Sequence, residues 1–260
     1  MLEPINYENV PNAAKVQLSD FSLDSSAIAY DPSGTYSVPY AWGTVGIIYN
    51  TTMVQEPVTS WSILFDQDYA GQVLMFNNSR DAIGLALKYL GYSLNTTNEE
   101  EIREATDLLI QQKEDGIVQA YVMDQIFEKL ISGEAAIGPY YAGDYLTMVE
   151  ENPDLAFCSP SEGTNLFVDA MCIPKSAENK ENAEAFINFM CQPEIIVKNA
   201  EATGYCVPSR EAYDLLDDDV KNNPAIYPDE DVMQRCEVFT NLPENILTLY
   251  DTEWSRLSMA

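Results

Sequence analysis

The sequence predicts an α/β protein with mostly parallel sheets. Two observations support this prediction: short apolar strand patterns alternate with amphipathic helix patterns from about Trp42 onward, and glycines or capping residues mark the helix ends. The chain has 260 residues, which is enough for one large domain or for two lobes with an ample core. Its hydrophobic share of 46% is that of an ordinary folded protein.

Two strands open the predicted fold. The pattern SVPYAWGTVGIIYN covers residues 37–50, and the shorter pattern QVLMF covers residues 72–76. A helix follows the second strand, because Asn78 or Ser79 can cap its start and Gly91 can end it.

The next helices are predicted from their capping signals. The motif TNEE at 97–100 is a capping box that opens a helix with one apolar stripe. Asp124 can cap a further helix, which Gly133 ends. The stripe of the first of these helices consists of Ile102, Ala105, Leu108 and Leu109.

Strands and then mainly helices fill the rest of the chain. The patterns AAIGPYY (135–141), LAFCS (155–159) and LFVDAMCI (166–173) predict strands, and a short helix begins near Asp144. The later helices are predicted over 179–191, 193–203, 209–216 and 243–257.

One carboxylate, Asp169, interrupts the apolar run of the third pattern, and we expect it to be buried. Side chains alternate along a strand, so Phe167, Asp169 and Met171 share one side. A buried carboxylate is costly unless a cation or several donors meet it, and a ring beside an anion suits an organic cation. A structural Asp, held by loop N–H groups or by an internal Lys or Arg, explains this stretch equally well.

Further candidate residues follow two predicted strands, where ligands of α/β proteins gather. Asn78 and Asp81 follow the strand at 72–76, and Tyr140, Tyr141 and Asp144 lie at the end of AAIGPYY or just after it. Helix capping, interaction with a helix dipole or core packing can explain each of them singly. Their convergence is what indicates a site.

The charge of the chain limits its partners. It has 13 basic and 42 acidic residues and no His, for a formal net charge of −29. Such a balance argues against nucleic acids and anionic membranes and favours cations, although surplus acids can also serve solubility alone. No stretch is apolar enough for a membrane span, and the first ten residues lack signal-peptide features, so the chain is either cytosolic or a processed piece.

The residue types needed for common enzyme chemistry are scarce. The five cysteines show no metal-ligand spacing, and the absence of His removes the usual nucleophile–base pairs and zinc sites. No phosphate-binding or dinucleotide motif is found. We therefore predict no catalytic residue, no metal site and no cofactor, with a carboxylate-pair glycosidase as the remaining formal option.

The chain resembles the extracytoplasmic polyamine-binding proteins of ABC importers, which capture putrescine or spermidine. The resemblance implies a type II periplasmic-binding-protein fold, in which the ligand is held between two lobes. It also implies that the protein is not an enzyme, works with transporter permease subunits and binds no nucleic acid. The segments that carry it are 38–50 (VPYAWGTVGIIYN), 58–75, 79–102, 140–144 (YYAGD), 167–174 (FVDAMCIP), 179–190 (NKENAEAFINFM), 203–212 (TGYCVPSREA) and the YP at 227–228.

Lobe boundaries and site residues follow from the resemblance. Lobe 1 is expected over 1–50 and 161–240, and lobe 2 over 51–160 and 241–260. Asp169 is similar to the carboxylate that holds an ammonium group, and Phe167 to an aromatic wall.

Four further site residues implied by the resemblance come from the second lobe. Tyr141 resembles the aromatic residue that packs on the methylene chain, and Asp144 an acid used by putrescine-type members. Asp81 aligns with an acidic ligand that is usually Glu, and Asn78 with a position that is Asp in some members. Phe239 stands where a Gln can contact the ligand.

The resemblance begins inside the first lobe of the family. We therefore expect a first lobe that is incomplete at its N-terminus, in a truncated chain or in the tail of a longer, membrane-anchored or permease-fused polypeptide. Such a chain is expected to bind polyamine more weakly than its parent, or to self-associate through the incomplete lobe.

Three other interpretations remain open from the sequence. Tyr140 and Tyr141 resemble the paired tyrosines of ferric-ion-binding proteins of the same fold class. Some proteins of this fold use a Cys nucleophile, which would make the chain an enzyme. A structural or interaction module is the third alternative.

Overall fold

The fold is described from a computed structural model, which describes residues 1–21, 23 and 28–260. The chain divides into two compact units. Unit 1 consists of Met1–Gly43 and Leu166–Tyr227, and unit 2 of Thr44–Asn165 and Pro228–Ala260.

The sheet of unit 2 is mixed. Its strands are β1 (Ser37–Asn50), whose residues 44–50 belong to this unit, β2 (Val73–Phe76), β3 (Val118–Val122), β4 (Ile137–Tyr141) and β5 (Leu155–Cys158). Their order in the sheet is β3-β2-β4-β1-β5, with β3 and β4 parallel to β2 and with β1 antiparallel to both β4 and β5. The sheet is therefore less uniformly parallel than predicted, because the long strand β1 enters it from the opposite direction.

Helices cover this sheet and surround one large apolar cluster. All four residues of β2 are buried, as expected for a central strand, and Trp61 is fully buried with its Nε1 donating to the carbonyl of Gly163 at 2.9 Å. The helices of unit 2 are α1 (Ser79–Tyr89), α2 (Glu99–Glu114), α3 (Gln125–Ile131), α4 (Ala142–Glu151), α9 (Glu230–Met233) and α10 (Glu244–Met259), with 3₁₀ turns at Trp61–Phe65 and Gln67–Tyr69.

Unit 1 contains smaller apolar clusters. One of them joins Ile5, Val10 and Val38 to Ile173 and Ile187, and β6 pairs with β1. Another packs Ile196 and Val207 against neighbouring helices. The elements of unit 1 are residues 37–43 of β1, β6 (Leu166–Cys172), α5 (Lys180–Met190), α6 (Pro193–Thr203), α7 (Arg210–Leu215) and α8 (Asp218–Lys221), with 3₁₀ turns at Pro11–Lys15 and Leu18–Phe21.

Most predicted elements are confirmed, and the differences are local. Strand β3 is absent from the sequence prediction. Helix α2 is capped by Asn98, which accepts a hydrogen bond from the N–H of Glu100 at 3.0 Å, rather than by Thr97. The prediction that Asp124 caps α3 is wrong, because its side chain makes no capping hydrogen bond. Helix α4 begins at Ala142, two residues before Asp144.

The boundaries of the units differ from the predicted lobe boundaries mainly at residues 228–240, which belong to unit 2. The N–H of Glu237 donates to the carbonyl of Thr164 at 2.9 Å, and the Glu237 carboxylate pairs with Lys88 Nζ at 2.9 Å. These bonds fix the segment to unit 2. Among the described residues, no helix combines the length and the apolar character needed to cross a bilayer.

Candidate functional site

Three parallel strands of unit 2 end at one edge of its sheet. Phe76 of β2 pairs with Val122 of β3, and the N–H of Asn77 continues the ladder to the carbonyl of Val122 at 3.0 Å. Val73 pairs with Ile137, so the carboxyl end of β4 reaches the same edge. The loops after these strands therefore place their side chains close together.

An aromatic cluster forms at this edge. The ring centroid of Phe76 lies 6.3 Å from that of Tyr140 and 5.8 Å from that of Tyr141, and the two tyrosine rings are 5.2 Å apart. Phe76 and Tyr140 are buried, while Tyr141 is half-buried. The two buried rings thus support a partly accessible one, as an aromatic wall for a ligand requires.

Two carboxylates act on this aromatic cluster. Burial first, and then the negative charges of Asp144 and Asp124, raise the pKa of Tyr140 to about 12. Asp144 lies in the first turn of α4, and Asp124 immediately precedes α3. The edge therefore joins aromatic surface to negative potential, a combination that attracts organic cations.

Asp81 lies in the first turn of α1 and is half-buried. Burial raises the pKa of its carboxyl to about 6, although the nearby Arg80 charge lowers it in part. The Arg80 guanidinium lies 4.5 Å from the ring centroid of Phe239 and donates to Asn95 Oδ1 at 3.2 Å. Asp81 is thus an acid whose charged form is poorly solvated, and an incoming cation would stabilise that form.

Asn78 caps α1. Its Oδ1 accepts hydrogen bonds from the N–H groups of Arg80 at 3.0 Å and Asp81 at 3.4 Å. The capping interpretation is therefore confirmed, while a ligand role for Asn78 stays a prediction. Phe239 packs against the Arg80 guanidinium and lies 3.5 Å from the position that a Cβ on Gly84 would take. It therefore stabilises the first turns of helix α1.

Asp169 lies on β6 of unit 1, and the expectation that it is buried is wrong: its side chain is exposed. The residues of β6 beyond Leu166 are at most half-buried, so the carboxylate keeps its contact with water. Partial burial still raises its pKa. Within the described part of the chain, no Lys or Arg forms an ion pair with it, so the structural alternative with an internal cation finds no support.

Phe167 stands two residues before Asp169 and packs on the backbone of β1. A Cβ added to Gly43 would lie 2.8 Å from the Phe167 ring, so Gly43 makes room for it. Tyr205 meets the same ring edge-on at 5.6 Å. The bridge between Trp42 and Cys206 positions Tyr205. The sequence prediction does not include Tyr205 among the site residues, although its segment carries the resemblance.

The described residues contain no group of three or more His, Cys, Asp or Glu that could hold a metal ion. Burial raises the pKa of each cysteine, to about 11 for Cys158 and Cys191. Raised pKa values keep these thiols protonated at neutral pH.

Solved structures place this fold among the substrate-binding proteins of ABC transporters. The spermidine/putrescine transporter substrate-binding protein PotD from Streptococcus pneumoniae matches with a TM-score of 0.86 and 33% identity, over 100% of this chain and 78% of that one. A putative spermidine/putrescine ABC transporter protein from Listeria monocytogenes matches with a TM-score of 0.88 and 36% identity, over 99% and 78% of the respective chains.

Comparison of the sequence with known proteins agrees with the comparison of structures. Residues 1–228 match the model of the bacterial extracellular solute-binding proteins, and the chain belongs to this family. The spermidine/putrescine-binding periplasmic protein of Escherichia coli is 33% identical over 227 residues. That match covers 86% of this chain and 65% of the relative, so the chain spans a little less than two thirds of its length. The predicted family, the α/β binding-protein fold and the extracytoplasmic location are thereby confirmed.

Proposed function

We propose that the protein is the solute-binding component of an ABC importer and binds a polyamine, either putrescine or spermidine. The observation that carries this proposal is the aromatic cluster of Phe76, Tyr140 and Tyr141 with Asp81 and Asp144 at the same sheet edge. Its relatives are named for these ligands, and transporter permease subunits are the proposed protein partners.

The chemistry of a polyamine matches the side chains at the sheet edge of unit 2. Each ammonium group needs a carboxylate, and the methylene chain needs apolar or aromatic walls. Unit 2 offers Asp81 and Asp144 at the sheet edge where Tyr141 lies. Unit 1, taken by itself, offers the same kind of pair in Asp169 and Phe167. Each cation–ring contact contributes roughly 0.5–2 kcal/mol. The strongly acidic surface also speeds the capture of cations at low salt.

The alternatives have weaker support. An iron carrier needs tyrosinate ligands, whereas burial and neighbouring carboxylates raise the pKa of Tyr140 to about 12. A Cys nucleophile needs an accessible thiolate, whereas burial raises the pKa of every cysteine. We accordingly propose that the protein is not an enzyme and acts by binding alone.

Calorimetric titration tests the proposal. We expect binding heat with putrescine, spermidine or both, and none with a neutral sugar or with glycine. Ferric ion should produce no visible tyrosinate absorption band. Equal, negligible heats for all ligands would contradict the proposed function, and an intense iron band would favour the iron carrier instead.

A further inference from the structure

Strand β3 brings a further carboxylate to the proposed polyamine site. Val122, the last residue of β3, pairs with Phe76, the last residue of β2. Asp124 lies two residues after Val122 and immediately precedes α3. Asn78 lies two residues after Phe76 and immediately precedes α1. Asp124 therefore occupies, on the neighbouring strand, the position equivalent to Asn78.

The two equivalent residues are used differently. Asn78 has extended backbone angles (φ −149°, ψ 128°), and its side chain caps α1. Asp124 already has helical angles (φ −57°, ψ −25°), and its side chain caps nothing. It is exposed, and within the described part of the chain no residue donates a hydrogen bond to its carboxylate or pairs with it. Local structure thus gives this acid no role.

The surroundings of Asp124 suit a cation. Burial first, and then the charges of Asp144 and Asp124, raise the pKa of the Tyr140 phenol, and the pairing of β2 with β3 places Asp124 at the same sheet edge. The nearest basic residue along α3, Lys129, pairs with Glu134 at 2.7 Å, and Arg80 packs on Phe239. Neither of these two cations forms an ion pair with Asp124.

We propose that Asp124 is a specificity-determining residue, which binds an additional ammonium group and so favours a triamine over a diamine. This inference rests on the proposed polyamine function. Asp81 and Asp144 of unit 2 already provide one carboxylate each for two ammonium groups. Asp124 matters when the ligand carries a third charge, and spermidine has one where putrescine does not.

The test compares two variants that lose the same charge. Asp124→Asn removes the carboxylate at the carboxyl end of β3, and Glu114→Gln removes an exposed one on α2, ahead of the amino end of the same strand. Calorimetry should show that Asp124→Asn weakens spermidine binding about tenfold or more and putrescine binding by less than about threefold. Glu114→Gln should change both affinities by less than about twofold. Asp124→Glu should keep most of the preference for spermidine.

The outcomes distinguish a failure of this inference from a failure of the proposed polyamine function. Equal losses for the two ligands, no loss for either, or the same loss in Glu114→Gln would overturn the role of Asp124 while leaving polyamine binding intact. A lower melting temperature of ligand-free Asp124→Asn would also overturn it, because that result would show a structural role. If the unmutated protein binds neither polyamine, the proposed function fails and the inference fails with it.

Discussion

Unit 2 and unit 1 are stabilised by different means. Unit 2 has one large apolar cluster around the fully buried strand β2, whereas unit 1 has small clusters. Unit 1 also contains buried carboxylates with several donors: Asp31 accepts from the N–H of Tyr36 at 2.7 Å and from Ser37 Oγ at 2.8 Å. In unit 1 such polar bonds add to the small apolar clusters, and pH and single substitutions can disrupt them.

Hydrogen-bond donors distinguish structural acids from candidate ligand-binding acids. Burial alone would raise the pKa values of Asp31 and Glu184, but their hydrogen-bond donors lower them below the usual range. Asp81 and Asp169 have raised pKa values because burial acts on them without such donors. An acid that the fold leaves without donors, whether half-buried as Asp81 or exposed as Asp169, is available for a cation from outside.

Matched core substitutions should give the largest effect. Ile83→Ala in α1 of unit 2 removes a fully buried side chain and should cost about 4 kcal/mol of unfolding free energy. Ile187→Ala in α5 of unit 1, where the cluster is smaller, should cost about 2 kcal/mol. Urea denaturation measures both costs. The reverse order would contradict the contrast between the two units.

A structural acid should respond through stability. Asp31→Asn places an amide opposite backbone N–H donors and should cost about 1.5–3 kcal/mol, the range for hydrogen bonds to a charged group. Stability from Asp31 and Glu184 should be present above their unfolded pKa values and be lost as pH falls through the lowered folded values. Thermal unfolding between pH 7 and pH 3 checks this; an unchanged melting temperature for Asp31→Asn would be evidence against it.

Asp169→Asn should behave in the opposite way. Polyamine affinity should fall by about 2 kcal/mol, because a charge-assisted contact is lost. The melting temperature of the ligand-free protein should hold, since Asp169 is exposed and has no described ion-pair partner. Calorimetry and thermal unfolding of the same preparation give both values. A destabilised variant with unchanged affinity would make Asp169 a structural residue.

Asp81 should make binding depend on pH. Its pKa of about 6 means that the carboxylate is charged at pH 7 and mostly protonated at pH 5. Affinity for a polyamine should therefore fall as pH drops through 6, by about tenfold if one ammonium contact is lost. The stability of the ligand-free protein should depend on pH in the opposite direction. The folded state binds the Asp81 proton more tightly than the unfolded state, so the contribution of Asp81 to stability declines as pH rises from about 4 to 6. Asp81→Asn should remove both dependences, and a variant that retains them would show that another group titrates.

The sequence predicted the strongly patterned elements and missed those whose burial is partial. Strand β2 and helix α1 follow from apolar runs with clear capping signals, and both are found. Strand β3 lies at the edge of its sheet, and Gln119 interrupts its apolar pattern, so no run indicated it. Without β3, the sequence indicates only a helix cap at Asp124.

Other errors have similar physical causes. Thr97 and Asn98 are both good capping residues, and propensity alone does not choose between neighbours. The burial of Asp169 was predicted from its apolar neighbours, but how much of a strand is covered depends on elements far away in the chain. Tyr205 becomes a candidate only when its contact with Phe167 is seen.

The central claim is that paired carboxylates and rings recognise ammonium groups. Calorimetric titration with spermidine and with triethylene glycol, an uncharged flexible chain of similar length, tests it most directly. Spermidine should bind with a measurable heat and with an affinity that falls as salt rises, and the glycol should not bind. Equal heats for the two ligands, or no heat for spermidine at low salt, would contradict the claim.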